Sequence, residues 1–268
     1  MNMRHNPRRA LVKRRPSILG RRWGGSLLIV MFGLLVAAGP AGADSFQAEI
    51  AIGDRLAAAG FQRYGMPIED DVIQTYVNRV GAAVTRNAGE PDTPFYFAVL
   101  DNDRIIASWS CPGGIVGLTT GFLRIMKDEA ELAGVLAHEA AHVVGRHPLR
   151  SYGRAGFEGS ADTLDELVGR LATVVFQQGI APNLEYAADD RAMETAYRTG
   201  YDPAGFVRLL DRLQGMPDGV RLSGSWFTTH PHPARRIKRC RTGLADFRDR
   251  ADMAAAPHRF AEMLRRLD

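Results

Sequence analysis

Residues 132 to 142 read Leu132-Ala133-Gly134-Val135-Leu136-Ala137-His138-Glu139-Ala140-Ala141-His142, an apolar run that ends in two histidines four positions apart. Ahead of it, Asp128 with Glu131 three residues on makes a capping pair, and no proline occurs before Pro148. The spacing therefore predicts a helix from Asp128 to His147, stopped by Pro148. Its small and apolar flanks argue for burial, and buried polar side chains need partners, which speaks against two polar residues on a solvated face. Histidines at i and i+4 lie one turn apart on one face and can present two imidazoles to a single ion. Glu139, offset by one position, points to the open side.

Such a pair needs a third ligand. One class of site takes a third histidine six residues after the second, following a glycine. Here Gly145 fits, but position 148 is proline and His147 comes one residue early. Downstream, Glu185-Tyr186-Ala187-Ala188-Asp189 sets two carboxylates one turn apart on a predicted helix over 183–199. Glu185 can ligate while Asp189 accepts the ring N–H of a ligating histidine, although on spacing alone an i,i+4 acidic pair is more often a solvated face. A zinc ion held by three protein groups keeps a position for water and lowers its pKa, so Glu139 reads as a base and not as a ligand.

Around this centre, apolar spacing predicts helices over 46–64 and from Glu69 onward. Short strands are expected at Phe95–Leu100, Arg104–Trp109 and Gly114–Thr119. A glycine-rich loop follows Leu149 and leads to an amphipathic helix over Leu164–Phe176. The helix over 183–199 closes at Gly200, Asp202-Pro203 opens the next, 215–224 reads as a loop, and Pro257–Leu267 is amphipathic. The fold class is α+β, mostly helical with a small sheet. No internal repeat or heptad run appears.

The formal charge of +4 resides in a leader. Residues 1–43 carry eight Lys and Arg and no acidic residue, leaving 26 basic against 30 acidic residues beyond them. No basic-patch argument for nucleic acid survives. The leader's positive stretch ends at Arg22, an apolar run spans Leu27 to Ala38, and Ala41-Gly42-Ala43 suits a signal peptidase. The expected organisation is a signal peptide over 1–43, cleaved near Ala43, and a single domain over 44–268 in the periplasm or otherwise exported. A retained anchor is the alternative, broken as a span by Gly33, Gly39, Pro40 and Gly42. Arg21 and Arg22 leave both the twin-arginine and the general export route open. In an oxidising compartment Cys111 and Cys240 would pair if the fold brought them together.

At this point the chain resembles the HtpX and Oma-type zinc metallopeptidases, a family that includes the CAAX prenyl proteases, and within it the soluble periplasmic branch containing BepA and LoiP. The resemblance rests on Tyr76-Val77-Asn78-Arg79-Val80, Pro112-Gly113-Gly114, Glu131 to Glu139, Glu185 to Asp189, and His230-Pro231 with Arg236-Ile237, in the family's order. It implies a zincin-like domain, one Zn2+ per chain on His138, His142 and Glu185, and Asp189 beside a ligating histidine. It further implies that His230 caps the open position or steadies the tetrahedral intermediate, and that Arg236 supports the cleft by pairing with a carboxylate. The strand after Pro-Gly-Gly would be an edge flanking the active-site helix, with Gly113, Gly114, Ile115, Val116 and Gly117 binding an extended peptide. One departure stands out: the family's Asn-Ala-Phe-like stretch is replaced by Ala107-Ser108-Trp109-Ser110-Cys111.

The implied function is a zinc endopeptidase acting on unfolded or misassembled cell-envelope proteins in periplasmic quality control, its partners being extended polypeptides. Membrane contact is expected only through an uncleaved leader. Two rivals are a peptide-holding module with a structural metal, against which an intact Glu139 argues, and an exopeptidase, which would need a charged pocket for a chain terminus. His147, His232 and His258 read as ordinary polar residues.

Overall fold

Residues 96 to 100, Tyr-Phe-Ala-Val-Leu, alternate between two apolar clusters, as a strand buried on both faces must. Phe97 and Val99 face one cluster with Val77 and Leu136, whereas Ala98 and Leu100 face the other with Leu56 and Trp109. This strand, β1 (Tyr96–Leu100), joins β2 (Ser108–Ser110) and β3 (Ile115–Thr119) in a sheet ordered β1-β3-β2. β1 runs parallel to β3, and β2 runs antiparallel to it. The computed structural model describes residues 41–89, 93–153, 163–217, 226–231, 233–247 and 253–268. Residues 1–40 of the expected leader and His232 lie outside these residues, as does most of the 215–224 loop.

On one face of the sheet lies α1 (Ala41–Tyr64); on the other lie α2 (Asp71–Thr85) and α4 (Glu129–Val144). Asp70 caps α2 by accepting from Val72 N and Ile73 N, both at 2.9 Å. A short α3 (Thr120–Ile125) leads to α4, whose residues from Glu129 to Val143 are all buried, which makes it the central helix. The capping pair forms: Asp128 Oδ1 accepts from Glu131 N at 2.9 Å, and Glu131 reaches back to Lys127 N at 2.9 Å. α7 (Pro182–Thr199) and α8 (Ala204–Gln214) pack on α4, and Gly134 lets Phe206 of α8 come close. The remaining helices are α5 (His147–Tyr152), α6 (Leu164–Thr173), α9 (Trp226–Thr229), α10 (Pro233–Gly243) and α11 (Pro257–Leu264). Among the described residues no helix is long and apolar enough to cross a membrane.

Four expectations are corrected. α4 stops at Val144, not at Pro148, because Arg146 adopts a left-handed conformation (φ 49°) and Pro148 sits in the first turn of α5 instead. The strand expected over Arg104–Trp109 shrinks to β2, because Asn102 Oδ1 accepts from Arg104 N and Ile105 N at 3.2 Å and turns the chain there. The helix over Leu164–Phe176 gives way at Val174 to a π turn, Val174–Gln178, which ends at Gly179 (φ 82°).

The fourth correction concerns the sheet edge. β3, expected there, is the central strand, paired on both sides, so Gly113, Gly114, Ile115, Val116 and Gly117 offer no free edge. The glycines serve packing. A Cβ on Gly114 (φ 99°) would run into Pro94 O, one on Gly113 into Ile50, and one on Gly117 into the Trp109 indole. The edge that flanks α4 is β2. Cys111 and Cys240 are free and buried in different apolar clusters, so they do not pair.

Candidate metal centre

Packing of α7 on α4 sets Glu185 beside the two histidines. His138 Nε2 and His142 Nε2 are 3.0 Å apart, Glu185 Oε2 is 3.6 Å from the first, and Glu185 Oε1 is 3.4 Å from the second. His230, which follows α9, completes a cluster in which one ligand atom from each of the four residues lies within 4.8 Å of the others. All four residues are buried. Zinc bonds of roughly 2.0–2.1 Å in a tetrahedron put ligand atoms about 3.3 Å apart, which is the spacing of His138, His142 and Glu185. Both Glu185 oxygens are buried; Oε2 has the Arg236 guanidinium 2.8 Å away as an ion pair, and Oε1 has no hydrogen-bond donor among the described residues. Burial pushes the Glu185 carboxyl well up despite the nearby Arg236, so in the absence of a cation the site is electrostatically costly. The residues present fit a divalent ion of zinc type.

Outer contacts engage Nδ1 of each of the three imidazoles. His138 Nδ1 lies 3.1 Å from Asp189 Oδ1, and His230 Nδ1 lies 3.2 Å from the Trp226 carbonyl. The Asp189 carboxylate only accepts, so His138 Nδ1 carries the proton and its Nε2 keeps its lone pair, whereas His230 Nδ1 also lies 3.0 Å from the Thr229 hydroxyl, which can donate or accept. His142 Nδ1 lies 2.9 Å from His147 Nδ1, a pairing that needs one ring to donate and the other to accept. Burial, with Arg150, lowers His147 to about 4, which keeps it neutral and able to accept. Burial also holds His142 and His230 well below the usual histidine value, as metal ligands require.

Arg236, on α10, organises the carboxylates. Its Nε and Nη2 donate to Asp189 at 2.8 and 2.6 Å, and its Nη1 lies 2.8 Å from Glu185 Oε2 and 3.2 Å from the His230 carbonyl oxygen. Burial alone would raise Asp189, but Arg236 and His138 outweigh it and bring the carboxyl to about 2. Arg236 touches a ligand and a ligand's partner, not the base, so it is a positioning residue.

Glu139 stands on the open side. Its Oε1 accepts from Ser108 Oγ at 2.6 Å and lies 3.4 Å from His230 Nε2, while its Oε2 is buried with no protein partner among the described residues. A cavity of about 10 Å³ borders Glu139, His142, His230, Trp109 and Ser110, close to the smallest space that holds one water. The π turn and α9 cover it, and Ile180 N donates to Thr229 O at 3.1 Å to join the two.

Three contributors escaped the sequence reading. His147 is no ordinary polar residue: the left-handed Arg146 folds it under His142, and a side chain on Gly145 would collide with its ring. The Gly145-Arg146-His147-Pro148 string was the available signal, there read as a failed third-ligand motif. Ser108 and Trp226 had no local signature at all.

A model described as Peptidase family M48 matches residues 72–243. The chain is 30% identical over 238 residues to the Beta-barrel assembly-enhancing protease of Yersinia pestis, covering 82% of this chain and 48% of that protein. It is 27% identical over 237 residues to a Protease HtpX homolog of Persephonella marina, covering 69% and 80% respectively. To the Mitochondrial metalloendopeptidase OMA1 of Schizosaccharomyces pombe it is 26% identical over 199 residues, covering 70% and 58%. It spans less than half the length of the assembly-enhancing proteases it matches. The family match runs from α2 through the ligands on α4 and α7 to Arg236 on α10, so the whole centre lies inside it, and the chain belongs to peptidase family M48.

Proposed function

We propose that the chain is a zinc-dependent endopeptidase that cuts extended segments of unfolded or misassembled cell-envelope proteins in the periplasm, after removal of a leader near Ala43. One observation carries the reading: buried ligand atoms of His138, His142, Glu185 and His230 converge within 4.8 Å, and Glu139 stands beside them with one oxygen unpartnered. Zinc, when bound by His138, His142 and Glu185, supplies a Lewis acid that acidifies water. Glu139 Oε2 takes the proton and passes it to the leaving amine nitrogen. Asp189 and His147 hold the ligand tautomers, and Arg236 pairs with both Glu185 and Asp189 and sets them side by side.

An extended substrate fits the free edge of β2. Thr119 N donates to Ala107 O at 3.0 Å and Cys111 N donates to Ile115 O at 2.9 Å, so odd-numbered residues bond to β3. Alternation turns the backbone groups of Ser108 and Ser110 the other way, toward the covering π turn and α9. That cover has to shift for a peptide to enter. The relatives named as assembly-enhancing proteases support the envelope setting.

The test is digestion of casein by the protein expressed as the full chain, with fragment ends mapped by mass spectrometry. Internal cuts abolished by a zinc chelator are expected. Trimming from a terminus would favour an exopeptidase, and binding without any cut would favour a holding module.

A further inference from the structure

The base is not held by its own helix. Glu139 Oε1 accepts from the hydroxyl of Ser108, 31 positions away on the edge strand, and Ser108 Oγ in turn accepts from the indole Nε1–H of Trp226 on α9 at 2.8 Å. An indole N–H can only donate, and an ionised carboxylate can only accept. The serine oxygen therefore takes the indole hydrogen, and its own proton has one direction left, toward Glu139. The side chains of all three residues are buried, so water does not compete for these bonds. Trp226 is itself fixed: it lies flat on His230 with ring centroids 4.4 Å apart, and Arg236 Cζ sits 4.6 Å over it. Ser108 falls in the middle of the stretch where this chain departs from the family's Asn-Ala-Phe-like pattern.

We infer that Ser108 is the positioning residue of the base: its hydroxyl, aimed by Trp226, anchors Glu139 Oε1 and reserves Oε2 for the proton of the attacking water. A free glutamate can swap its two oxygens by rotating its terminal torsion, which is broad and twofold. The Ser108 bond breaks that symmetry. The inference rests on the peptidase reading of Glu139, and it ties the orientation of the base to the helix that precedes His230.

The test compares wild type, Ser108→Ala, Ser108→Thr and Trp226→Phe as full chains. Hydrolysis of a fluorogenic peptide is followed with zinc present, and the indole N–H resonances of 15N-tryptophan-labelled protein are recorded without it. Ser108→Ala is expected to lower kcat about tenfold at unchanged KM, a part of the roughly 10²–10⁴ that a general base contributes, and Ser108→Thr to restore most of the loss. Trp226→Phe is expected to lower kcat about threefold and to add nothing on the Ser108→Ala background, since both break one chain of bonds. In metal-free protein the Trp226 indole resonance, identified by its loss in Trp226→Phe, should move upfield in Ser108→Ala. A wild type that cuts while Ser108→Ala cuts equally fast, or an indole resonance that does not move, overturns the inference alone. A wild type that cuts nothing, while its indole signal still depends on Ser108, removes the peptidase reading and this inference together.

Discussion

Single imidazoles show how a partner outside the centre decides what happens inside it. His138, His142 and His230 each have Nδ1 engaged, by Asp189, His147 and the Trp226 carbonyl, and each turns Nε2 inward. His147→Ala should therefore weaken zinc binding about tenfold, the lower end of what losing such a partner costs, as read by competition with a chelator. An affinity equal to that of wild type would show that His142 needs no support. His138 and His142 were legible in the sequence because helical spacing alone places them on one face, with Glu139 offset by one position. Glu185 and Asp189 were legible only with the family's motif order, since an i,i+4 acidic pair also suits a solvated helix. His147 was not legible, because its role depends on a left-handed residue, Arg146, that no local preference announces.

Elements decide where a substrate can lie. The helices were readable from apolar spacing and caps, and α7 ends at Gly200 (φ 92°) as its sequence requires. Strand order was not readable, because it depends on which partner each short apolar run finds. Pro112-Gly113-Gly114 reverses the chain so that β3 pairs back onto β2 and inserts between it and β1, which moves the free edge from β3 to β2. Proline at Ser110 would delete an outward-facing N–H without touching the β2–β3 ladder. Ser110→Pro is thus expected to raise KM for peptide hydrolysis several-fold with a melting temperature close to wild type. An unchanged KM would place the substrate elsewhere.

Across the whole molecule, one buried carboxylate fastens the chain's end to its centre. Glu129, in the first turn of α4, accepts from Tyr201 at 2.6 Å, from Tyr76, and from Arg259 Nε at 2.6 Å on α11. Burial alone would raise its carboxyl, but Arg259 and the two tyrosines outweigh burial and hold it below the usual 4.5. A carboxyl with a lowered folded pKa contributes stability that is present above the unfolded value and lost as pH falls through the folded one. Wild type should thus lose unfolding free energy on acidification below pH 4.5. Glu129→Gln should lack that component and start about 1–3 kcal/mol less stable at neutral pH, measured by denaturant melts across pH. Parallel pH curves for the two proteins would contradict it. The most direct test of the whole reading is to assay zinc content and casein cleavage side by side in wild type and Glu139→Gln, both as full chains. The expected result is about one zinc per chain in both, with cleavage in wild type and a loss of at least 10²-fold in the mutant. Absence of zinc from wild type, or a Glu139→Gln protein that cuts as fast, would contradict it.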